Sequence, residues 1–255
     1  MTASVEQGVR PVTAVDDYPA QQRRLLARVR RDVRAAQTAS SVPRAADYAG
    51  DPARSLTIVA FPPAPVRAAI ATQLQAPLAA LAPDHYYYPA ASFHITIKNV
   101  RQAAYPPTFD GAAVAQAAQL LPTITRRHAP FIFTFHEALA FPNSLSLVGY
   151  SSAALQSLVL DLDQALRTAG LPDDKRYMSD TVFFGNITFC RFTTDPTPAF
   201  LDAARSLTLA APVQVEVNEL TLITCNAAAA PSTITRHAAA ALGGQTDSVA
   251  SSWVS

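Results

Sequence analysis

Apolar residues recur along this chain in two rhythms, one near the helical repeat and one of strict alternation, and together they predict an ordered series of helices and strands. Between Pro19 and about Gln37, Leu25, Leu26, Val29 and Val33 form one helical stripe, with Arg23, Arg24, Arg28, Arg30, Arg31 and Arg34 crowded around it. The segment 17–40 therefore reads as a basic amphipathic helix. "SLTIVAF" reads as a buried strand, and after the "PPAP" break Val66, Ile70, Leu74, Leu78 and Leu81 mark a helix that Pro77 should kink. "YYYPAASFHITIKNV" is the next expected strand and "DGAAVAQAAQLL" a further helix. "FIFTFHEALAF" and "SLSLVGY" pair as strands about the turn signal Pro142-Asn143. A capping serine at 151 or 152, the stripe Leu155, Leu158, Leu162 and Leu166, and the stop at Gly170 bound another helix. "DTVFFGNITFCRF", "TPAFLDAARSL", "VQVEVNELTLITC" and "STITRH" then predict strand, helix and closing strands. Residues 1–16 and 243–255 lack periodicity and read as disordered tails.

The order of elements repeats: strand, helix, motif-bearing strand, helix, strands, twice over. An internal duplication of this kind predicts an α+β fold over residues 55–242, bilobal, with two antiparallel-sheet lobes and outer helices facing a central groove. Each lobe brings one short motif to that groove, "FHITIK" at 93–98 and "GNITFC" at 185–190. Strand alternation puts His94, Thr96 and Lys98 on one face and Phe93, Ile95 and Ile97 on the other. The same parity aligns Phe184, Asn186, Thr188 and Cys190, and leaves Arg191 opposite unless a bulge intervenes. An imidazole, a hydroxyl and an ammonium in a row suit a phosphate, supplying a proton shuttle, a hydrogen-bond donor and a charge. Thr96 and Thr188 also suit a strand as β-branched residues, but their parity with His94 and Asn186 favours a ligand role, whereas Lys98 is equally an exposed edge lysine.

On these motifs the chain resembles the 2H phosphoesterase superfamily, which includes the bacterial RNA 2′,3′-cyclic phosphodiesterases, or 2′-5′ RNA ligases. Their pattern is histidine, any residue, then threonine or serine, once in each of two duplicated lobes. His94-Ile95-Thr96 matches in full, whereas Asn186-Ile187-Thr188 keeps the spacing and hydroxyl without the histidine. The resemblance implies metal-independent and cofactor-free chemistry on a 2′,3′-cyclic phosphate or 2′-5′ linkage. It implies His94, Thr96, Asn186 and Thr188 at the reacting phosphate, one histidine serving as base and the other as acid. An asparagine amide exchanges no proton at neutral pH, so the resemblance implies either reduced activity or a non-catalytic protein that binds a nucleotide or RNA end. Lys98, Tyr88 and Phe184 are the accompanying candidates for substrate contact. Neither His136 nor His85 sits in a family motif; His136 stands in for the missing imidazole only if its strand borders the groove, and a histidine within a hairpin is more often a partly buried polar residue.

Charge and composition narrow the partners. With 20 Lys and Arg against 19 Asp and Glu the chain is near neutral, so an anionic ligand must be held locally. The arginine helix suits phosphates or an acidic partner, and also the commoner arrangement of a docked helix with a solvated basic face. Cys190 and Cys225 lack metal-site spacing and read as buried thiols of a reducing cytoplasm. No apolar run has the length of a bilayer span, and no dimerisation signal is legible, so a monomer acting on an RNA end or nucleotide, with no membrane partner, is expected.

Overall fold

A computed structural model describes residues 17–35, 42–174 and 178–243. The tails expected at 1–16 and beyond Gly243, and the end of the expected helix 17–40, lie outside the described residues. In chain order the elements are α1 (Tyr18–Arg34), β1 (Arg54–Ala60), α2 (Ala64–Ile70), a π-helical turn (Ala71–Gln75), α3 (Ala76–Leu81), β2 (Tyr86–Tyr87) and β3 (Ile95–Ala104). They continue with α4 (Gly111–Thr125), β4 (Phe131–Phe141), β5 (Ser144–Tyr150), α5 (Ala153–Thr168), β6 (Gly185–Arg191), α6 (Pro198–Ser206), β7 (Thr208–Val217), β8 (Glu219–Cys225) and β9 (Thr235–Ala241).

These elements form an α+β fold with two antiparallel sheets, one ordered β3-β1-β8-β9 and the other β2-β6-β5-β4-β7. Each sheet carries one motif strand. The two lobes are not successive halves of the chain, however. Strands β8 and β9 return to complete the first sheet, while α2 and the π turn, which follow β1, pack on the second sheet. Helix α5 likewise crosses to pack on β3 beside α4. One large apolar cluster, running from Leu56 and Ile58 to Phe133, Leu147, Ile187 and Leu222, unites both lobes.

Local chemistry explains the element ends. Ser152 accepts a hydrogen bond from the Ala154 amide to cap α5, and Gly170 closes it at φ +74°, a conformation that costs glycine little. Asp110 and Thr197 cap α4 and α6 in the same way. The kink expected at Pro77 takes the form of the π turn just before it, which absorbs the missing proline N–H. Gly149 and Gly185 are cross-strand partners, and a Cβ on either would meet the Phe135 or Phe133 ring at 2.5–2.7 Å. The absence of side chains there admits the aromatic stack beneath the start of β6.

Helix α1 docks on the groove-facing side of the second sheet, where Leu25, Leu26 and Val29 bury against Leu139 and Val148. Removing each of these aliphatic side chains from water contributes about 1.5–3 kcal/mol. The fully buried Gln22 donates to the Phe183 carbonyl at 2.6 Å and accepts from the Ser151 amide at 3.0 Å. Arg30 pairs with Glu137 at the far flank. The basic helix is therefore docked by its apolar stripe, with Arg23, Arg24, Arg28, Arg31 and Arg34 exposed.

Candidate functional site

The expected strand from Tyr86 to Val100 is broken at Pro89. Tyr86 and Tyr87 pair with Arg191 and Cys190 at the edge of the second sheet, a 3-10 turn at Ala90–Ser92 crosses over, and β3 begins in the first sheet. His94 stands at this crossing, immediately ahead of β3. A proline cannot continue the ladder, and it restricts the residue before it to extended backbone, which is why the chain changes sheets here.

From that crossing β3 and β6 approach one another, and between the two sheets lies a cavity of about 290 Å³. His94 and Thr96 line it from one side, and Asn186 and Thr188 from the other. Tyr88 and Phe184 also line it, together with Thr57, Asn99, Ser146 and Arg191. Leu25 of α1 closes one end, beside Val148, the cross-strand partner of Asn186. Arg191 is the only charged side chain among the described residues that line the cavity.

Two bulges decide which side chains face this space. Ile58 pairs with Lys98 and Val59 with Thr96, so Ile97 is an extra residue in β3. Leu145 pairs with Cys190 and Ser146 with Thr188, so Phe189 is the extra residue in β6. Each bulge falls one residue after the motif threonine and reverses the alternation beyond it. Asn99 and Arg191 consequently enter the cavity from equivalent positions, each three residues past its threonine. Lys98 and Cys190 are turned away.

This corrects the expectation for Lys98. Its side chain is 3% exposed and pairs with Asp163 at 2.7 Å and Asp173 at 2.8 Å, facing α5 and not the groove. Burying an ammonium requires such partners, and two carboxylates already compensate its charge on the side of α5. Cys190 is buried as a packed residue, and burial pushes its thiol up to about 12 despite the Tyr87 hydrogen bond, so it stays protonated.

His94 accepts and donates along fixed directions. Its Nδ1 lies 2.8 Å from the Ser92 carbonyl, which can only accept, so Nδ1 carries the proton and the neutral ring holds its lone pair at Nε2. Desolvation lowers its pKa from the usual imidazole value, the Ser92 carbonyl opposes that, and Arg191 adds to the lowering. Thr188 Oγ1 is 3.0 Å from Ser146 Oγ on the neighbouring strand. Arg191 donates from Nε to the Tyr88 hydroxyl at 2.7 Å, and its guanidinium carbon lies 5.7 Å from the centre of the Tyr48 ring. A fixed guanidinium, hydroxyls and amides, with no carboxylate among the described lining residues, form a setting for an anion.

His94 is the only histidine among the described residues lining the cavity. His85 is buried against Phe192 and Phe200 at ring separations of 5.3 and 5.0 Å, and His136 is exposed at the irregularity in β4; neither reaches the groove. Among the described residues no three His, Cys, Asp or Glu side chains converge as metal ligands. No helix among them is long and apolar enough to cross a membrane.

No protein-family model matches the chain, and no curated protein sequence matches it significantly. Solved structures do share its fold. TT0787 of Thermus thermophilus aligns at 17% identity and a TM-score of 0.53, over 75% of this chain and 99% of that one. A structure described as a phosphoesterase aligns at 20% identity and 0.53, over 76% and 99%. LigT of E. coli, solved in complex with ATP, aligns at 20% identity and 0.51, again over 76% and 99%. This chain thus contains the whole extent of those structures and carries about a quarter of its length beyond the shared fold.

Proposed function

We propose that the protein is a monomeric, cytoplasmic 2H phosphoesterase-like protein that acts on the 2′,3′-cyclic phosphate or 2′-5′ phosphodiester of an RNA end or nucleotide, slowly, because Asn186 replaces an imidazole. The observation that carries this reading is the convergence of His94 and Thr96 with Asn186 and Thr188 on one cavity whose only charged lining residue, among those described, is Arg191. The likeness in fold to a phosphoesterase, and to a LigT solved with ATP and with NADP+, supports it.

In this reading Arg191, the two threonine hydroxyls and the Asn186 amide hold the phosphoryl oxygens. His94 Nε2 takes a proton from an attacking water as the new P–O bond forms. The bond to the leaving ribose oxygen then breaks without a side-chain acid, and that oxygen takes its proton from solvent. A missing acid costs about 10²–10⁴-fold in rate. No metal or cofactor has a part in these steps. A second reading, a protein that binds such an end without turning it over, is favoured by the lack of a second imidazole among the described lining residues.

Hydrolysis and binding of nucleoside 2′,3′-cyclic phosphates, measured with chelator present on the natural protein and on His94→Gln, test the proposal. Slow turnover abolished by the substitution, with affinity held within a few fold, is the expected result. Binding without turnover selects the second reading, and neither binding nor turnover removes both.

A further inference from the structure

Helix α1 belongs to a second cationic surface that the phosphodiester chemistry of the groove does not use. Arg24, Arg28 and Arg31 stand at i, i+4 and i+7, which places them in one row along the helix, and all three are exposed. The helix holds six arginines against one carboxylate, Asp32. Arg23 is engaged with Asp17 and Arg30 with Glu137, whereas Arg24 and Arg31 make no ion pair among the described residues. Arg28 gives one hydrogen bond to the Met178 carbonyl, which fixes it beside the groove. A shallow recess lined by Arg24 and Arg28 shares Leu25, Ser179 and Val182 with the wall of the main cavity. Two members of the arginine row, Arg24 and Arg28, thus adjoin the groove wall.

We infer that this row is a track for the sugar-phosphate backbone of a single-stranded RNA whose terminal phosphodiester occupies the groove, an inference that rests on the function proposed above. It makes the ligand an oligonucleotide and not a lone nucleotide. The row rises through seven residue steps, roughly 10 Å at 1.5 Å per residue, so three long guanidinium side chains lie within reach of successive phosphates of one strand. Guanidinium groups engage phosphate oxygens through paired N–H donors, and a linear row of them outside a groove that holds the strand's end gives the strand one direction of exit. The helix thereby acts twice, closing the groove with its apolar face and extending it with its polar one.

The test compares binding of a short single-stranded oligoribonucleotide ending in a 2′,3′-cyclic phosphate with binding of the matching cyclic mononucleotide, across a series of salt concentrations. In Arg24→Gln/Arg28→Gln/Arg31→Gln, three lost phosphate contacts should reduce the slope of log affinity against log salt by about 2, at roughly 0.7 per contact on a single strand. Oligonucleotide affinity at low salt should fall by about tenfold or more while the mononucleotide stays within about twofold. Arg24→Gln/Arg31→Gln, which keeps the Arg28 bond to Met178, should lose about 1.4 of slope. Unchanged slope and affinity in the triple variant, with the oligonucleotide still bound, would overturn the track and leave the groove reading intact. Arginine-dependent oligonucleotide binding without cyclic-mononucleotide binding would uphold the track and count against the groove. Competition by polyglutamate as effective as that by the oligonucleotide would overturn the assignment to nucleic acid.

Discussion

Arg191 and Tyr88 meet in the groove through a 2.7 Å hydrogen bond from the guanidinium Nε to the phenol oxygen. The bond joins the edge strand β2 region to the motif strand β6 and aims the one charged side chain that lines the cavity among the described residues. Burial raises the Tyr88 pKa to about 12 although Arg191 opposes it, so the phenol stays neutral and keeps its own proton to donate. Tyr88→Phe preserves the ring packing but releases the guanidinium. Its expected effect is a 5–20-fold rise in the Kd for a nucleoside 2′,3′-cyclic phosphate, about 1–2 kcal/mol, in line with one hydrogen bond to a charged group. Isothermal titration of both proteins checks it.

Lys98 has the opposite character, and its substitution should separate stability from binding. Lys98→Ala removes the ammonium that pairs with Asp173, itself 3% exposed, and with Asp163. Removing one partner of such a pair costs about 3–5 kcal/mol. Denaturant unfolding should register that loss, while ligand affinity of the folded variant stays unchanged. A stable variant with weakened phosphate binding would return Lys98 to the groove. Asp163 adds a pH signature: burial tends to raise its carboxyl pKa, but hydrogen bonds from Lys98 and Arg167 outweigh that and hold it below the usual value. A depressed carboxyl stabilises the fold above the unfolded pKa, and the contribution disappears as pH falls through the folded value. Stability should therefore decline in the acid range below about pH 4, and Lys98→Ala should flatten that decline.

The pH dependence of turnover follows from His94. Desolvation foremost, then the proximity of Arg191, lowers its pKa below 6.5 against the pull of the Ser92 carbonyl. The base form is thus already present at neutral pH, and the acid limb of the rate profile should lie below pH 6.5. Since Asn186 does not titrate, no alkaline limb from a second imidazole is expected. Arg191→Gln should move the acid limb upward. The same shift lowers stability as pH falls beneath 6.5, because the unfolded imidazole takes up a proton that the folded one resists.

Much of the fold was legible because local signals agreed with one another. Helix α5 carried its serine cap, its leucine stripe and its terminal glycine, and β4 and β5 their turn at Pro142-Asn143. The pairing of the motif strands across a groove followed from the repeated order of elements and strand alternation. What alternation could not supply is where it stops. The bulges at Ile97 and Phe189 arise from pairing with β1 and β5, partners distant in sequence, and they exchange Lys98 for Asn99 and Cys190 for Arg191 in the cavity. Arg191 was reachable only on the condition of a bulge. Pro89 carries a signal of the break between Tyr88 and His94 that the expected strand ran through, since proline is excluded from the interior of a sheet. Ser146 has no motif to mark it; its place opposite Thr188 depends on the strand register. The return of β8 and β9 to the first sheet is a matter of topology, to which periodicity is blind.

The central claim is that one residue limits this groove, and hydrolysis of a nucleoside 2′,3′-cyclic phosphate by Asn186→His, with chelator present, tests it most directly. The side chain enters a cavity already lined by His94, Thr96 and Thr188 and supplies the missing proton donor. The expected result is turnover about 10²–10⁴-fold above the natural protein, lost again on His94→Gln, with an alkaline limb added to the pH profile. A folded Asn186→His variant that binds the ligand yet turns over no faster than the natural protein would contradict the claim.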